Sequence, residues 1–358
     1  MSLPIPAPPP VVAPGHSPFS ALRHRNFRLF LGGQMVSLTG TWLQNVAQGW
    51  LVLQLTHSAF MVGLVSTLGT LPILLFTLYG GVVADRVNKR RFILMLQAFM
   101  LVDAAVLGLL TLTGVVTVPW VMGLALVFGL LSAFEVPTRQ AFVIEMAGRA
   151  DLMNAIALNS SVFNLARIVG PAVAGILIAT VGIAACFLLN AFSYLAVITS
   201  LLVMRQPPSP KPPAGRPRFL DGLTYVLGEP WPRTMAILTA TFSIFGAAFL
   251  PLLPVFADQV LHAGATGYGG LVSAVGVGAS AAALIVAAFG HRFRKRTVLL
   301  TAGMLFGVFL IAASFTGNYW IALILLTLAG TAQVMSNVLT NTLLQAGAPD
   351  HLRGRVMG

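Results

Sequence analysis

The sequence predicts an all-α membrane protein with ten membrane-spanning helices. Hydrophobic residues make up 57% of its 358 positions, charged residues make up only 8%, and the mean hydropathy is +0.88. Soluble domains carry about 25% charged residues, so this composition excludes a soluble fold. The apolar residues fall in long runs, and a membrane-spanning helix needs about 20 of them in succession.

Ten apolar runs define the predicted spans, and the segments between them define the domains. Residues 1–18 hold seven prolines and predict a disordered tail, without a cleavable signal peptide. We predict a six-helix bundle over residues 19–204, a proline-rich cytoplasmic linker over 205–232 and an incomplete four-helix bundle over 233–358. The spans lie near residues 27–55, 59–84, 92–114, 118–137, 152–180, 183–204, 233–260, 267–289, 297–316 and 319–345.

The positive charges predict the orientation of these spans. All 21 Lys and Arg residues except Arg167 lie on the same side of the predicted helices as the N-terminus. Because positive loops face the cytoplasm, the N-terminus is predicted to be cytoplasmic. The net charge of +12 therefore reflects membrane topology and argues against a nucleic-acid partner.

No catalytic or metal-binding pattern is visible in the sequence. Cys186 is the only cysteine, so the chain has no internal disulfide or cysteine-based metal site. The segment from Gly276 to Ala281 fits a dinucleotide fingerprint but follows no strand, so it predicts close helix packing instead. We predict no enzymatic activity, no cofactor and no metal.

Two matches at nearly one offset indicate that the chain contains a duplicated bundle. The pattern Gly-Leu-Val-Ser-x-x-Gly begins at Gly63 and recurs at Gly270, an offset of 207. The charged segment that begins at Asp85 corresponds to the one that begins at His291, an offset of 206. Tandem helical halves of this kind occur in secondary transporters.

The turn between spans two and three resembles the signature loop of the major facilitator superfamily, Gly-x-x-x-Asp-Arg-x-Gly-Arg-Arg. Here Asn88 replaces the usual second glycine and Lys89 the usual arginine, and asparagine tolerates the left-handed backbone expected there. The resemblance implies two six-helix halves and a loop that locks the cytoplasmic gate. The alternative is a solvated loop that only sets topology. The gating-loop candidates are Gly81, Asp85, Arg86, Lys89 and Arg90.

The repeat offset places the counterpart of span five at the last residue of the sequence. We therefore expect this chain to be truncated and a full version to have twelve spans. In the superfamily the loop acid meets the cytoplasmic end of helix eleven, so Asp85 is expected to lack that partner.

Span five carries a second partial resemblance. The segment around Gly170, Pro171 and Gly175 resembles the antiporter motif of the superfamily's exporters, although Ala166 and Ala174 replace two of its glycines. Small residues at four-residue spacing allow close packing of another helix, and a proline permits a bend. Ordinary small-residue packing remains the alternative.

Three ionisable residues inside or at the end of spans are functional candidates. Arg167 lies near mid-membrane, where an arginine costs at least about 2.5–3.5 kcal/mol, so it should face a wet cavity or a partner. Asp103 is a candidate for proton coupling, with a structural polar contact as the alternative. Glu135 fits either a proton carrier or an ion pair with Arg139. The Glu-x-Pro-x-Arg pattern at the end of span four resembles the one found in a branch of the superfamily that is related to siderophore and macrolide exporters.

Amides at four-residue spacing predict a substrate cavity, because such spacing puts them on one helix face. Hydrogen bonds between helices are the alternative. The cavity candidates are Gln44, Asn45, Gln48, Asn164, Arg167, Gln333 and Asn337.

Span seven carries aromatic residues and prolines. Phe242, Phe245 and Phe249 could contact an apolar substrate, and Pro251 and Pro254 predict a break in this span.

The resemblance implies a secondary transporter that exports hydrophobic drugs, macrolides or siderophore-like molecules by alternating access. Inward proton flow would drive it, and the protein would act as a monomer in the bilayer of a bacterial inner membrane. An uptake carrier of the same fold and a nonfunctional fragment remain alternatives.

Overall fold

The computed structural model describes residues 19–148, 150–205 and 248–347, together with isolated positions between 228 and 246. The predicted tail, the linker after Arg205, Phe242, Phe245 and most of the seventh span lie outside these residues. The helices are α1 Arg25–Thr56, α2 Ala59–Arg86, α3 Lys89–Leu112, α4 Val118–Ala147, α5 Leu152–Thr180, α6 Ile183–Val203, α7 Phe249–Val255, α8 Gly264–Phe289, α9 Lys295–Ser314 and α10 Tyr319–Gly347.

The predicted fold class is confirmed. Ten α-helices and no strand occur in the described residues, and eight of these helices are long and apolar enough to cross a bilayer. Of the seventh span the structure describes α7 and the π-helical turn Phe256–Val260 that continues it. Pro254 lies inside α7, and the π-helical turn begins two residues after it.

Helix α4 is longer than the sequence predicts. It was expected to end at Pro137, but it continues ten residues further to Ala147. A proline cannot donate a hydrogen bond to the carbonyl four residues earlier, that of Ala133. This carbonyl faces Gly80 of α2, where a side chain would collide with it, so the helix accommodates the proline at a site of close packing.

The turn between α2 and α3 differs from the expected left-handed conformation. Asn88 has φ −70° and ψ 103°, which is extended backbone. Its side chain caps α3 by accepting a hydrogen bond of 3.1 Å from the backbone N–H of Arg91. Asparagine therefore replaces glycine here through helix capping.

Helix pairing repeats between the first half, α1–α6, and the second half, α7–α10. In the first half α2 packs on α4, and the carbonyl of Gly69 lies against Gly129. In the second half α8 packs on α10, and the carbonyl of Val275 lies against Gly330. Each pair joins the second and fourth spans of its half, as expected for duplicated bundles.

The two halves are joined at one end of the molecule. We call the end with the α2–α3 turn the basic end and the opposite end, with the α1–α2 turn, the far end. The largest buried cluster lies toward the far end and includes Trp50 of α1, Ala174 of α5 and Leu271 of α8. Toward the basic end, the clusters around Phe142 and around Leu339 each contain residues of one half. The described helices therefore close against each other at the far end and diverge toward the basic end.

Candidate functional site

A cavity of about 380 Å³ lies between the two halves, at and beyond the middle of the helices toward the far end. Its walls come from α1, α2, α4, α7 and α8. Asn45 and Gln48 of α1 supply amides, while Phe128, Tyr268 and Val272 supply apolar surface. Mostly apolar cavities with a few polar groups are typical of small-molecule sites, at about 300–1,000 Å³.

Behind the cavity wall, Trp42 contacts an aromatic and a cationic residue of α5, neither of which lines the cavity itself. Trp42 lines the cavity, and its ring makes an edge contact with Phe163 of α5, with centroids 6.1 Å apart. The guanidinium of Arg167 lies over the Trp42 ring, 5.7 Å from its centroid. A cation over an aromatic face gains about 0.5–2 kcal/mol, which offsets part of the cost of placing arginine inside the membrane.

The antiporter-like motif of α5 forms the contact between the halves. Gly175 lies against the backbone of Ala265 and Thr266 of α8, and Gly269 of α8 lies against the carbonyl of Pro171. Ser273 of α8 donates a hydrogen bond of 2.8 Å to the carbonyl of Ile168. Small residues on both helices allow this approach.

Gly170 faces the other way, toward α1. A side chain at this position would meet Cβ of Trp42 at 2.6 Å and the carbonyl of Thr39 at 2.9 Å. The motif therefore packs α5 against α1 within the first half and against α8 of the second half. This places Trp42 and Arg167 directly beside the contact between the halves.

The predicted amides do not all reach the cavity. Asn45 and Gln48 lie on its wall, but Gln44 is only 1% exposed and accepts a hydrogen bond of 2.7 Å from Nδ2 of Asn190 on α6. For Gln44 the alternative of a helix–helix hydrogen bond is therefore correct. Asn164 donates to the carbonyl of Ser160 in its own helix, at 2.9 Å.

The amides of α10 are placed differently again. Nε2 of Gln333 donates a hydrogen bond of 3.0 Å to the carbonyl of Gly246, so it binds the segment that precedes α7. Asn337 is exposed.

The aromatic candidate Phe249 of α7 packs edge-on against Phe306 of α9, with ring centroids 6.0 Å apart, and belongs to the second-half core.

Two basic residues of the α2–α3 turn hold the first half together. Nζ of Lys89 lies 2.5 Å from Oε1 of Glu145 on α4, and Nε of Arg90 donates to the carbonyl of Leu201 on α6 at 2.7 Å. Asp85 and Arg86 are exposed and form no ion pair or side-chain hydrogen bond within the described residues. These two residues are therefore available to a partner.

Gly81, the first glycine of the predicted gating loop, makes no close contact with another helix among the described residues. A side chain added at Gly81 would meet no atom within 4 Å, whereas one added at the neighbouring Gly80 would collide with Ala133 of α4. Gly80 is therefore the packing glycine of this helix end.

Two carboxyl groups are buried in the first half. Glu135 is paired with Arg139, with 3.0 Å between Oε1 and Nε, and also accepts a hydrogen bond of 3.4 Å from Gln97 of α3. The predicted ion pair thus forms, in a buried position. Asp103 is 4% exposed, and neither of its carboxyl oxygens has a hydrogen-bond partner in the described structure.

Sequence reasoning missed several residues of the site. Tyr268, which lines the cavity, and Trp50, which stacks on it, looked like ordinary aromatic residues in apolar runs. Asn190, Gln97 and Glu145 were not recognised as partners of Gln44, Glu135 and Lys89. A search for polar residues inside the predicted spans would have found Asn190 and Gln97, although not their partners.

Repeated helix pairs around a central cavity, with the halves in contact at one end, define a membrane transporter of the major facilitator superfamily. The sequence model of one family of that superfamily, described as "Transmembrane secretion effector", matches residues 16–358, so the chain belongs to this family.

Its relatives include proteins named as transporters and exporters. The chain is 29% identical to the multidrug efflux pump Tap of Mycolicibacterium fortuitum, over 92% of this chain and 83% of that protein. It is 24% identical to the staphyloferrin A transporter of Staphylococcus aureus, over 92% and 84% of the two chains. It is 28% identical to the enterobactin exporter EntS of Escherichia coli, over 94% and 80%.

Solved structures give the same fold. A bacterial homologue of the human lysosomal transporter Spinster aligns with a TM-score of 0.72 at 15% identity, over 93% of this chain and 78% of that one. The nucleoside transporter NupG aligns with a TM-score of 0.68 at 14% identity, over 94% and 85%.

Proposed function

We propose that this protein exports apolar small molecules, of the drug or siderophore class, across a bacterial inner membrane. The cavity between the halves carries this proposal, because its mixed apolar and amide walls suit a small molecule. The names of its relatives support the substrate class, since one is a multidrug efflux pump and another an enterobactin exporter.

Alternating access is the mechanism that this geometry favours. The halves meet through the small residues of α5 and α8 toward the far end and diverge toward the basic end. If the basic end is cytoplasmic, as the positive charges indicate, substrate enters the cavity from the cytoplasm. Rocking of the halves about the α5–α8 contact would then expose the cavity to the outside.

Protons are the proposed coupling ion, and Asp103 is the proposed carrier. Its carboxyl group is buried without a hydrogen-bond partner in the described structure, and intramembrane carboxyl groups commonly serve proton relays. Glu135 is already paired with Arg139, which makes it the weaker candidate. The protein is proposed to work as a monomer in the bilayer, with Asp85 and Arg86 closing the cytoplasmic gate.

Uptake into everted membrane vesicles tests this proposal. Vesicles from cells that express the gene are compared with vesicles from cells that lack it, with fluorescent 1-pyrenebutyramide and 1-pyrenebutyrate as probes. We expect accumulation of at least one probe when a proton gradient is present and its loss when an ionophore collapses the gradient. The proposal would be contradicted if neither probe accumulates more in vesicles from expressing cells than in vesicles from cells that lack the gene.

A further inference from the structure

We propose that Arg167 and Trp42 form a subsite that binds the carboxylate of an amphipathic substrate. The inference rests on the proposed function, because it takes the cavity between the halves to be the transport site. It goes further by assigning a charge to the preferred substrate: an apolar or aromatic body that carries a carboxylate group.

The first argument is that Arg167 has no counter-ion among the residues that the structure describes. Its side chain is half-buried near the middle of α5, and it forms no ion pair and no side-chain hydrogen bond within the described residues. Arginine and lysine inside a membrane normally pair with an acid or a backbone carbonyl, or face water. An unpaired guanidinium beside a cavity therefore leaves a place for an anion.

The acidic residues of the chain give Arg167 few alternatives. The sequence contains nine of them, and only Asp103 and Glu135 lie inside spans of the first half. Glu135 is occupied by Arg139. Asp103 lies on α3, which packs against α4 and α6, and its carboxyl oxygens have no partner in the described part of the chain. The predicted loops and termini hold Asp85, Glu145, Asp151, Asp221, Glu229 and Asp350, and Asp258 follows α7.

The second argument is geometric. The guanidinium of Arg167 contacts Trp42 through its face, at 5.7 Å from the ring centroid. Its N–H groups point outward from the edge of the same plane and remain free of protein partners in the described structure. A carboxylate can accept two parallel hydrogen bonds from this edge. The ring contact thus fixes the plane of the guanidinium without using the donors that would bind the anion.

The third argument separates packing from charge. The backbone carbonyl of Arg167 lies against Gly276 of α8, 3.0 Å from where a Cβ would stand. The α5–α8 contact thus uses the backbone at this position and does not require a charged side chain. The packing of α5 on α8 therefore gives no reason for an arginine here.

The surroundings fit the rest of such a substrate. Trp42 lines the cavity and joins Arg167 to it, and Phe163 extends the aromatic surface along α5. Asn45 and Gln48, one and two turns further along α1, supply amides to the same cavity. An aromatic body would lie against Trp42 while its carboxylate reaches the edge of Arg167.

The test is a binding experiment on the chain in lipid nanodiscs, with empty nanodiscs subtracted. The probes are 1-pyrenebutyrate and its neutral analogue 1-pyrenebutyramide, which share one aromatic body. The measured quantity is the ratio of their dissociation constants, followed by fluorescence. We expect the unmodified protein to bind the carboxylate about tenfold more tightly, and Arg167→Gln to bring the ratio close to one.

Three further variants define the origin of the ratio. Arg167→Lys keeps the charge but loses the planar fork, so part of the preference should remain. Trp42→Leu removes the ring that fixes the plane of the guanidinium, so it should weaken both probes and lower the ratio without bringing it to one, which keeps the test informative if Arg167→Gln does not fold. Arg296→Gln removes an exposed charge at the start of α9 and should leave the ratio unchanged.

The outcomes separate this inference from the proposed function. Equal affinities of the unmodified protein for both probes would overturn the carboxylate subsite while leaving a transporter of neutral substrates. An unchanged ratio in folded Arg167→Gln would also overturn it. Failure of both probes to bind and to accumulate in everted vesicles would overturn the proposed function itself.

Discussion

Trp50 of α1 stacks on Tyr268 of α8, with ring centroids 6.1 Å apart and ring planes inclined by 20°. Both residues are buried, at 6% and 5% exposure, and they belong to different halves. Tyr268 also lines the cavity. The stacked pair therefore joins the two halves beside the cavity, toward the far end, and contributes to keeping them together.

Replacing Trp50 by alanine should weaken the closure of the far end. Aromatic pairs contribute about 0.5–1.5 kcal/mol beyond their buried area, so the population open at the far end should rise about two- to tenfold. A cysteine placed at Val65, on the cavity wall, reports this opening in a Cys186→Ala background. Its labelling by a membrane-impermeant maleimide, added outside intact cells, should become severalfold faster.

Trp120→Ala is the matched control for this measurement. Trp120 of α4 is 54% exposed, so its loss removes an equal side chain without touching the contact between the halves. Identical labelling rates in the Trp50→Ala and Trp120→Ala proteins would show that the stack does not hold the far end closed.

A methyl group added at Gly269 should destabilise the contact between α5 and α8. Its Cβ would collide with the carbonyl of Pro171 and would lie 2.9 Å from Cα of Gly175. Both atoms belong to the backbone, so they cannot move aside easily. We expect Gly269→Ala to lower the stability by about 1–3 kcal/mol, seen as a lower thermal unfolding temperature in detergent.

Gly63→Ala provides the opposite expectation in the same assay. No atom lies within 4 Å of the Cβ that this change would add in α2. Alanine is the better helix former, by about 0.5–1 kcal/mol, so the unfolding temperature should stay constant or rise. A fall of similar size in both variants would show that the local helix, and not the interhelical contact, determines the effect.

The helices could be predicted well because apolar runs of membrane length leave little freedom. The second span was predicted over 59–84 and is Ala59–Arg86, and the sixth was predicted over 183–204 and is Ile183–Val203. The error at α4 arose at Pro137, since a proline that ends helices in water can lie inside a membrane helix.

The cavity walls were harder to predict, because sequence periodicity identifies a helix face but not what covers it. Gln44 and Gln48 are one turn apart, yet Gln44 binds Asn190 of α6 and Gln48 faces the cavity. The separation of 146 positions between Gln44 and Asn190 leaves no local signal of their contact. The same holds for Trp50 and Tyr268.

The ion pair between Lys89 and Glu145 should stabilise the basic end of the first half. Its side chains are only 13% and 15% exposed, so the pair is screened less than a surface pair, which contributes about 0.2–1 kcal/mol. A double-mutant cycle with Lys89→Gln and Glu145→Gln, read by unfolding in detergent, should give a coupling energy of about 1 kcal/mol. The exposed Arg91 is the control, because Arg91→Gln should show no coupling to Glu145.

Asp103→Asn should separate transport from substrate binding. The amide keeps the shape of the side chain but cannot take up and release a proton, so a carrier at this position would lose its response to the gradient. In everted vesicles we expect gradient-driven accumulation to fall at least tenfold, while probe binding in nanodiscs changes less than twofold. Asp258→Asn, at an exposed carboxyl group after α7, should leave both quantities unchanged. If Asp103→Asn retains full gradient-driven accumulation, the coupling proton resides elsewhere, and Glu135→Gln becomes the variant that decides whether the buried pair with Arg139 carries it.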